Sequence, residues 1–249
     1  MKPHILVPTQ NVQRGLDCLS YLLARPVGHQ VGLAMIYGRP GLGKTQFSQR
    51  YAIEHDYVYL SALKASTPKS FTVALLTKLR ERYEPGYTEP VTGAKARLFR
   101  EILDTLNRHT TRMHLPVILI DEVDNIIHYP HEEIVGMLRD IADNTVASVV
   151  LVGMQNLREK VIKLNSHYYN RFIYFAEFQP LTNADVALMC SQLADIHIAD
   201  DLARFSNDKT QAAGDARKLI KAIRLYEEIA QKLSLSSLDL KTYQKVVSK

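Results

Sequence analysis

Gly38-Arg39-Pro40-Gly41-Leu42-Gly43-Lys44-Thr45 is the stretch on which the fold of this chain turns. It has the form G-x-x-x-x-G-K-T, and its flanks are those that such a loop needs. Before it, Val31-Gly32-Leu33-Ala34-Met35-Ile36-Tyr37 is an apolar run of strand length; after it, Thr45-Gln46-Phe47-Ser48-Gln49-Arg50-Tyr51-Ala52 has helical spacing. Strand, glycine-rich loop and helix in that order make an anion cradle. Glycines let backbone N–H groups curl round phosphate oxygens, and the helix start adds the positive end of its dipole. The expected nucleotide-binding set is Gly38, Pro40, Gly41, Leu42, Gly43, Lys44, Thr45 and Gln46. Lys44 is expected to reach the β- and γ-phosphates of ATP or GTP, and the Thr45 hydroxyl to ligate Mg²⁺.

A second motif follows in Leu115-Pro116-Val117-Ile118-Leu119-Ile120-Asp121-Glu122, a buried strand that ends in two acids. The first, Asp121, is placed to hold Mg²⁺ through water; the second, Glu122, to orient and polarise an attacking water. Further along, Ala147-Ser148-Val149-Val150-Leu151-Val152-Gly153 reads as a fourth strand. A polar side chain just past its end would meet the γ-phosphate. Met154-Gln155-Asn156 stands there, with Gln155 preferred over Asn156.

Around these motifs, 249 residues suit one α/β domain with a small appendage. An apolar share of 46% supports a real core. No apolar run approaches the ~20 residues a bilayer span requires, and the first residues, from Met1 to Pro8, hold too short an apolar run for a secretory signal. Cys18 and Cys190 lie in different halves without metal-ligand spacing, so two reduced, buried thiols and a cytoplasmic location are expected. The net charge of +5 is unevenly spread: residues 61–112 carry ten Lys or Arg against five Asp or Glu, whereas 113–179 carry five against nine.

The remaining elements alternate as an α/β sheet requires. Residues 1–30 give an extended start and a helix ended by Pro26 and Gly28; Tyr57–Ser61 is a second strand. Helices are expected from Thr67-Pro68 to about Tyr83, from near Thr92 through Leu106, from Glu132 to Asp143, and from Leu157 to Arg171. Phe172-Ile173-Tyr174-Phe175 then closes a five-stranded parallel core near Pro180. Residues 181–249 read as helices only, with a capping-box start at Thr182-Asn183-Ala184-Asp185, a long helix opened by Ala212 and a last helix from Ser236 or Ser237. The expected division is therefore a core over 1–180 and a helical lid over 181–249.

The phosphate loop, the Asp-Glu strand end, Asn170-Arg171 before the fifth strand and Gly214-Asp215-Ala216-Arg217 in the lid resemble, as a set, the AAA+ ATPases. That resemblance implies an α/β P-loop core with strand order 5-1-4-3-2, an all-helical C-terminal lid, and ATP bound between neighbouring subunits of a ring or helical filament. It implies that Arg171 is an arginine finger acting in trans on the neighbour's site. It also implies that Arg217 is a second sensor of the γ-phosphate. Ile5–Val12, Leu138-Arg139-Asp140-Ile141-Ala142 and Val149–Gly153 resemble more narrowly the transposition-helper ATPases, the group of phage Mu B protein and its TnsC and TniB relatives. What this implies is an ATP-dependent oligomer on target DNA that recruits a transposase and comes apart on hydrolysis. Met154-Gln155 departs from the small polar residue those relatives often carry after the glycine.

Charge and resemblance meet on residues 61–112. Thr67-Pro68-Lys69 and Thr92-Gly93-Ala94-Lys95 are helix starts with a cation in the first turn, suited to phosphates of double-stranded DNA; Lys69, Thr92 and Lys95 are the expected contacts. No base-reading motif is present, so such binding should be sequence-tolerant and salt-dependent. Two other classes fit the same motifs: a replication loader or initiator ATPase, and a nucleotide switch that binds a protein partner without DNA.

Overall fold

In Leu33–Gly38, Val117–Asp121 and Ser148–Gly153 every side chain is buried, as expected of parallel strands covered on both faces. The computed structural model describes residues 5–26, 28–111, 115–127, 132–208 and 212–247. In chain order the elements are α1 (Gln10–Ala24), β1 (Leu33–Gly38), α2 (Lys44–Glu54), β2 (Val58–Ser61), α3 (Pro68–Tyr83), α4 (Lys95–Arg108), β3 (Val117–Asp121), α5 (Glu133–Asn144), β4 (Ser148–Gly153), α6 (Leu157–Leu164), α7 (Ser166–Tyr169) and β5 (Phe172–Phe178). After them come α8 (Asn183–Leu193), β6 (His197–Ile198), α9 (Asp200–Ser206), α10 (Ala216–Lys232), β7 (Ser237–Leu238) and α11 (Leu240–Val247). The main sheet runs β2-β3-β4-β1-β5, the expected order read from the other edge. Among the described residues no helix is long and apolar enough to cross a membrane.

The chain divides into two compact units. One holds Gly15–Gly38 and Lys44–Glu177; the other holds Arg39–Gly43 and the chain from Phe178 onward, together with the segment up to Arg14. In the first, Phe71, Leu75 and Leu79 of α3, Leu98, Ile102 and Leu106 of α4, and Val135 and Leu138 of α5 pack on one core with Met35, Ile118, Ile120, Val149 and Leu151 of the sheet. Phe47 of α2 is fully buried, and Gly15 of α1 gives its ring room: a methyl there would lie 2.4 Å from the ring.

Arg25 is the unusual member of this unit, a guanidinium only 6% exposed. It donates to Leu22 O and Ser148 Oγ at 2.7 Å, to Val146 O at 2.6 Å, and at longer range to Gln30 O and Ala147 O. It ties the end of α1 to the start of β4, and burial alone pulls its pKa down from the usual arginine value. Arg25→Ala takes this donor from the buried Leu22 and Ala147 carbonyls and the Ser148 hydroxyl, and a cost of about 3 kcal/mol is expected. Urea unfolding followed by far-UV circular dichroism would show it as a lowered midpoint at unchanged slope.

The second unit has its own core: Val7, Leu181, Val186, Met189, Leu193, Leu202, Leu219, Ile223 and Tyr226. The capping box at Thr182 is present, its hydroxyl accepting from Asp185 N while the Asp185 carboxylate accepts from Thr182 N. The N-terminal segment is stitched to the same unit: Asn11 Nδ2 donates to Gln179 O at 2.7 Å, Gln179 N donates back to Asn11 Oδ1 at 2.9 Å, and Gln10 N donates to Asp185 Oδ1.

Boundaries depart from the sequence reading where backbone geometry overrides periodicity. The helix expected from Thr92 starts at Lys95, because Gly93 takes φ +137° and the helical run cannot begin before it. The helix expected from Leu157 to Arg171 breaks at extended Asn165, whose side chain caps a new turn by accepting from His167 N. The helix expected from Ala212 starts at Ala216, since Ala213 and Gly214 are both left-handed. Ser237-Leu238 pairs in parallel with His197-Ile198, so the last helix begins at Leu240 and the C-terminal segment is not helical throughout. Both thiols are buried and free, and burial pushes Cys18 up to about 12 and Cys190 to about 11.

Candidate nucleotide site

In a parallel sheet the carboxyl ends of all strands share one edge, and loops that leave that edge can converge on a ligand. With β1, β4 and β3 adjacent, Gly38, Gly153 and Asp121 finish on that edge, and Lys44 opens the helix that follows β1. Lys44 is 8% exposed, and its ammonium donates to Gly38 O at 2.8 Å. Thr45 and Gln46 in the first turn of α2 are exposed, while Leu42 is buried. Gly41 and Gly43 take φ of +81° and +90°, a region costly for any side chain. Gly41 also has no room for one: a methyl there would lie 2.3 Å from the Asp215 carboxylate, and Gly41 O accepts from Ala216 N at 2.9 Å. Pro40 is exposed beside it.

Asp121 is 2% exposed and each of its oxygens has a donor. Oδ1 accepts from Glu122 N at 2.7 Å, and Oδ2 accepts from the Tyr59 hydroxyl at 2.9 Å. Burial first, then the Asp121 charge, pushes Tyr59 up to about 12, so it stays a donor. Glu122 sits in the left-handed region at φ +52°, a conformation that costs a non-glycine residue about 1–2 kcal/mol and gathers at functional sites. Its exposed carboxylate accepts from Asn125 Nδ2 at 3.2 Å, and the same amide donates to Ala62 O at 3.0 Å. The next acid, Asp124, takes the Met154 N–H and the Lys160 ammonium, joining the ends of β3 and β4. Gln155 follows in the exposed turn after β4, with Asn156 at the N-cap of α6 making no side-chain cap.

Asp121 and Thr45 are hard oxygen donors. That suits Mg²⁺, which takes one or two protein ligands and fills its shell with phosphate and water. Among the described residues no group of three or more His, Cys, Asp or Glu forms an all-protein metal cage. Arg171 is exposed in the turn before β5, its guanidinium 3.7 Å from the Asp143 carboxylate. Arg217 is exposed in the first turn of α10, where Asp215 Oδ1 accepts from the backbone N–H groups of Arg217 and Lys218.

The DNA-contact candidates are less uniform. Lys69 is exposed in the first turn of α3, behind a Thr67 N-cap that accepts from Ser70 N. Lys95 is engaged in an ion pair with Glu133, and Thr92 is exposed ahead of α4, whose N-cap is Ala94. The sequence by itself gives no site role to Tyr59, Asp124 or Asn125. The one signal for Asn125 is a polar residue three positions after Glu122; Tyr59 gives none without the pairing of β2 with β3.

The profile of the AAA domain family matches residues 28–161. ORC1-type DNA replication protein 1 of Archaeoglobus fulgidus is 24% identical over 233 residues, covering 86% of this chain and 55% of that protein. The chain thus spans about half the length of that curated relative. The Aeropyrum pernix ORC2 protein in its ADPNP–ADP complexes superposes with a TM-score of 0.69 at 16% identity, over 100% of this chain and 69% of that one. Cdc6p from Pyrobaculum aerophilum gives a TM-score of 0.63 at 18% identity, over 95% and 65%. The Thermotoga maritima RuvB Holliday junction branch migration motor gives 0.57 at 18%, over 96% and 68%. At such identities these likenesses speak to the fold.

Proposed function

The chain belongs to the AAA domain family, and on that premise we propose that it is an ATP-dependent, sequence-tolerant DNA-binding ATPase of the replication loader or initiator kind, working as an oligomer. The observation that carries this is the placing of Lys44, Asp121 and Glu122 on one carboxyl edge of the sheet, with Arg171 exposed before β5. Lys44 clamps the phosphates; Thr45, and Asp121 through water, would hold Mg²⁺, which would offset charge on the phosphates. Glu122 orients water for attack, Gln155 contacts the γ-phosphate, Arg171 completes a neighbour's site, and Arg217 reports from a lid over 181–249. Hydrolysis then serves to release the assembly.

The named relatives favour this reading over the transposition-helper one, in which the partner is a transposase. That second reading rests on the short stretches at 5–12, 138–142 and 149–153. A transposase gene beside this one would revive it.

DNA binding is tested by titrating labelled random duplex across a salt series with ATP, with ADP and without nucleotide. Lys69 sits exposed in the first turn of α3, where its ammonium and the positive end of the helix dipole suit a phosphate. Lys69→Glu is expected to weaken binding to any duplex alike and to flatten the salt dependence by about one unit of slope. Lys245→Glu, an equal charge change on α11, should not. Equal loss in both variants would assign the effect to bulk charge. No shift with any nucleotide would leave the DNA-free switch.

A further inference from the structure

We infer that Tyr59 is a positioning residue of the metal site, its hydroxyl fixing the rotation of the Asp121 carboxylate. The inference rests on the reading above that the chain binds Mg²⁺ with its nucleotide. β2 pairs in parallel with β3, Tyr59 beside Leu119 and Ser61 beside Asp121. Side chains alternate across a sheet, so Tyr59 shares a face with Asp121 but lies two residues short of it, about 7 Å along the strand. A small polar side chain at 59 would fall short of the carboxylate. A tyrosine spans the gap, and its hydroxyl reaches Asp121 Oδ2 at 2.9 Å.

The direction of that bond is set as well. Gln49 Nε2, from α2 on the same face, donates to the Tyr59 oxygen at 3.2 Å, so the single hydroxyl proton goes to Asp121. Glu122 N holds the other carboxylate oxygen. An ionised carboxylate has about four acceptor positions. One donor on each oxygen pins the plane of the group and leaves the other two positions for water on a cation. An aspartate that acts on a metal through water depends on that orientation, because the water must find the lone pair already aimed. Outer-shell partners of this kind are typically worth 10- to 100-fold in metal affinity. Gln49 and Tyr59 thus link the helix that begins with Lys44 to the acid at the end of β3.

The test separates metal binding from nucleotide binding and from folding. The probe is an ATP analogue with a nitrogen β–γ bridge, its affinity measured in EDTA and again across a Mg²⁺ series. In Tyr59→Phe the affinity in EDTA should stay within about twofold of the parent, while the gain brought by Mg²⁺ falls about 10-fold. Asp121→Asn should lose at least as much of that gain. If Tyr59→Phe keeps the full Mg²⁺ gain while Asp121→Asn loses it, the metal site stands and the role of Tyr59 is overturned. An equal loss with and without Mg²⁺ in Tyr59→Phe also overturns it, since a tyrosine that only fills the core would act in that way. If Asp121→Asn retains the gain, the reading of the metal site fails and the inference falls with it.

Discussion

Lys44→Ala is expected to lower ATP affinity by at least about 100-fold, whereas Glu122→Gln keeps binding and lowers turnover by about 10²–10³. The split follows from what each group touches. The Lys44 ammonium is nearly excluded from solvent and rests on Gly38 O. A nearly buried cation gains much from a phosphate, since an ion pair out of water is strong. Truncation removes that gain from substrate and transition state alike, so affinity is what falls. Glu122 is exposed and held by Asn125 through one oxygen. Glutamine preserves an acceptor for that amide and the left-handed backbone around it, but loses the charge that polarises water. Fluorescent-ATP titration and phosphate release on both variants measure the two effects. Turnover at the parental rate in Glu122→Gln would mean that another group serves the water.

Arg171→Ala is expected to leave a subunit's own ATP affinity nearly intact while cutting hydrolysis by about 10³, the range for a finger supplied in trans. Its ion pair with Asp143 is long and half-exposed, and such a pair is worth about 0–1 kcal/mol. The guanidinium can leave Asp143 at little cost, and its loss should barely move the melting temperature. Mixing provides the decisive measurement. An Arg171→Ala subunit has an intact phosphate loop, and a Lys44→Ala subunit still offers its arginine. Neither should turn over alone, and together they should recover activity. No recovery at any ratio would count against a shared site.

The core was readable because its central strands are short, unbroken, β-branched apolar runs such as Val117–Ile120 and Val149–Val152, which suit parallel strands covered on both faces. The apolar run predicts only Phe172–Phe175 of β5, because Glu177, exposed on the strand, interrupts the pattern before Phe178. β6 and β7 were invisible, since two residues carry no periodicity and pair only after the helices between them have folded. In the site, the loop and the Asp-Glu pair were readable because their chemistry is contiguous in sequence. Tyr59 acts across a strand register and Asp215 on Gly41 across a long separation, and neither relation exists until the chain has closed.

Gly41 carries a practical lesson for anyone who would dissect this molecule. The composition invites a cut near Pro180, which would yield a tidy α/β fragment carrying every loop residue. Yet the loop segment Arg39–Gly43 belongs to the same compact unit as α8 to α11, and Gly41 rests on Asp215 and Ala216. A fragment ending at 180 would keep the sequence of the cradle and discard what it leans on. Weak nucleotide binding by such a fragment would then describe the truncation rather than the protein.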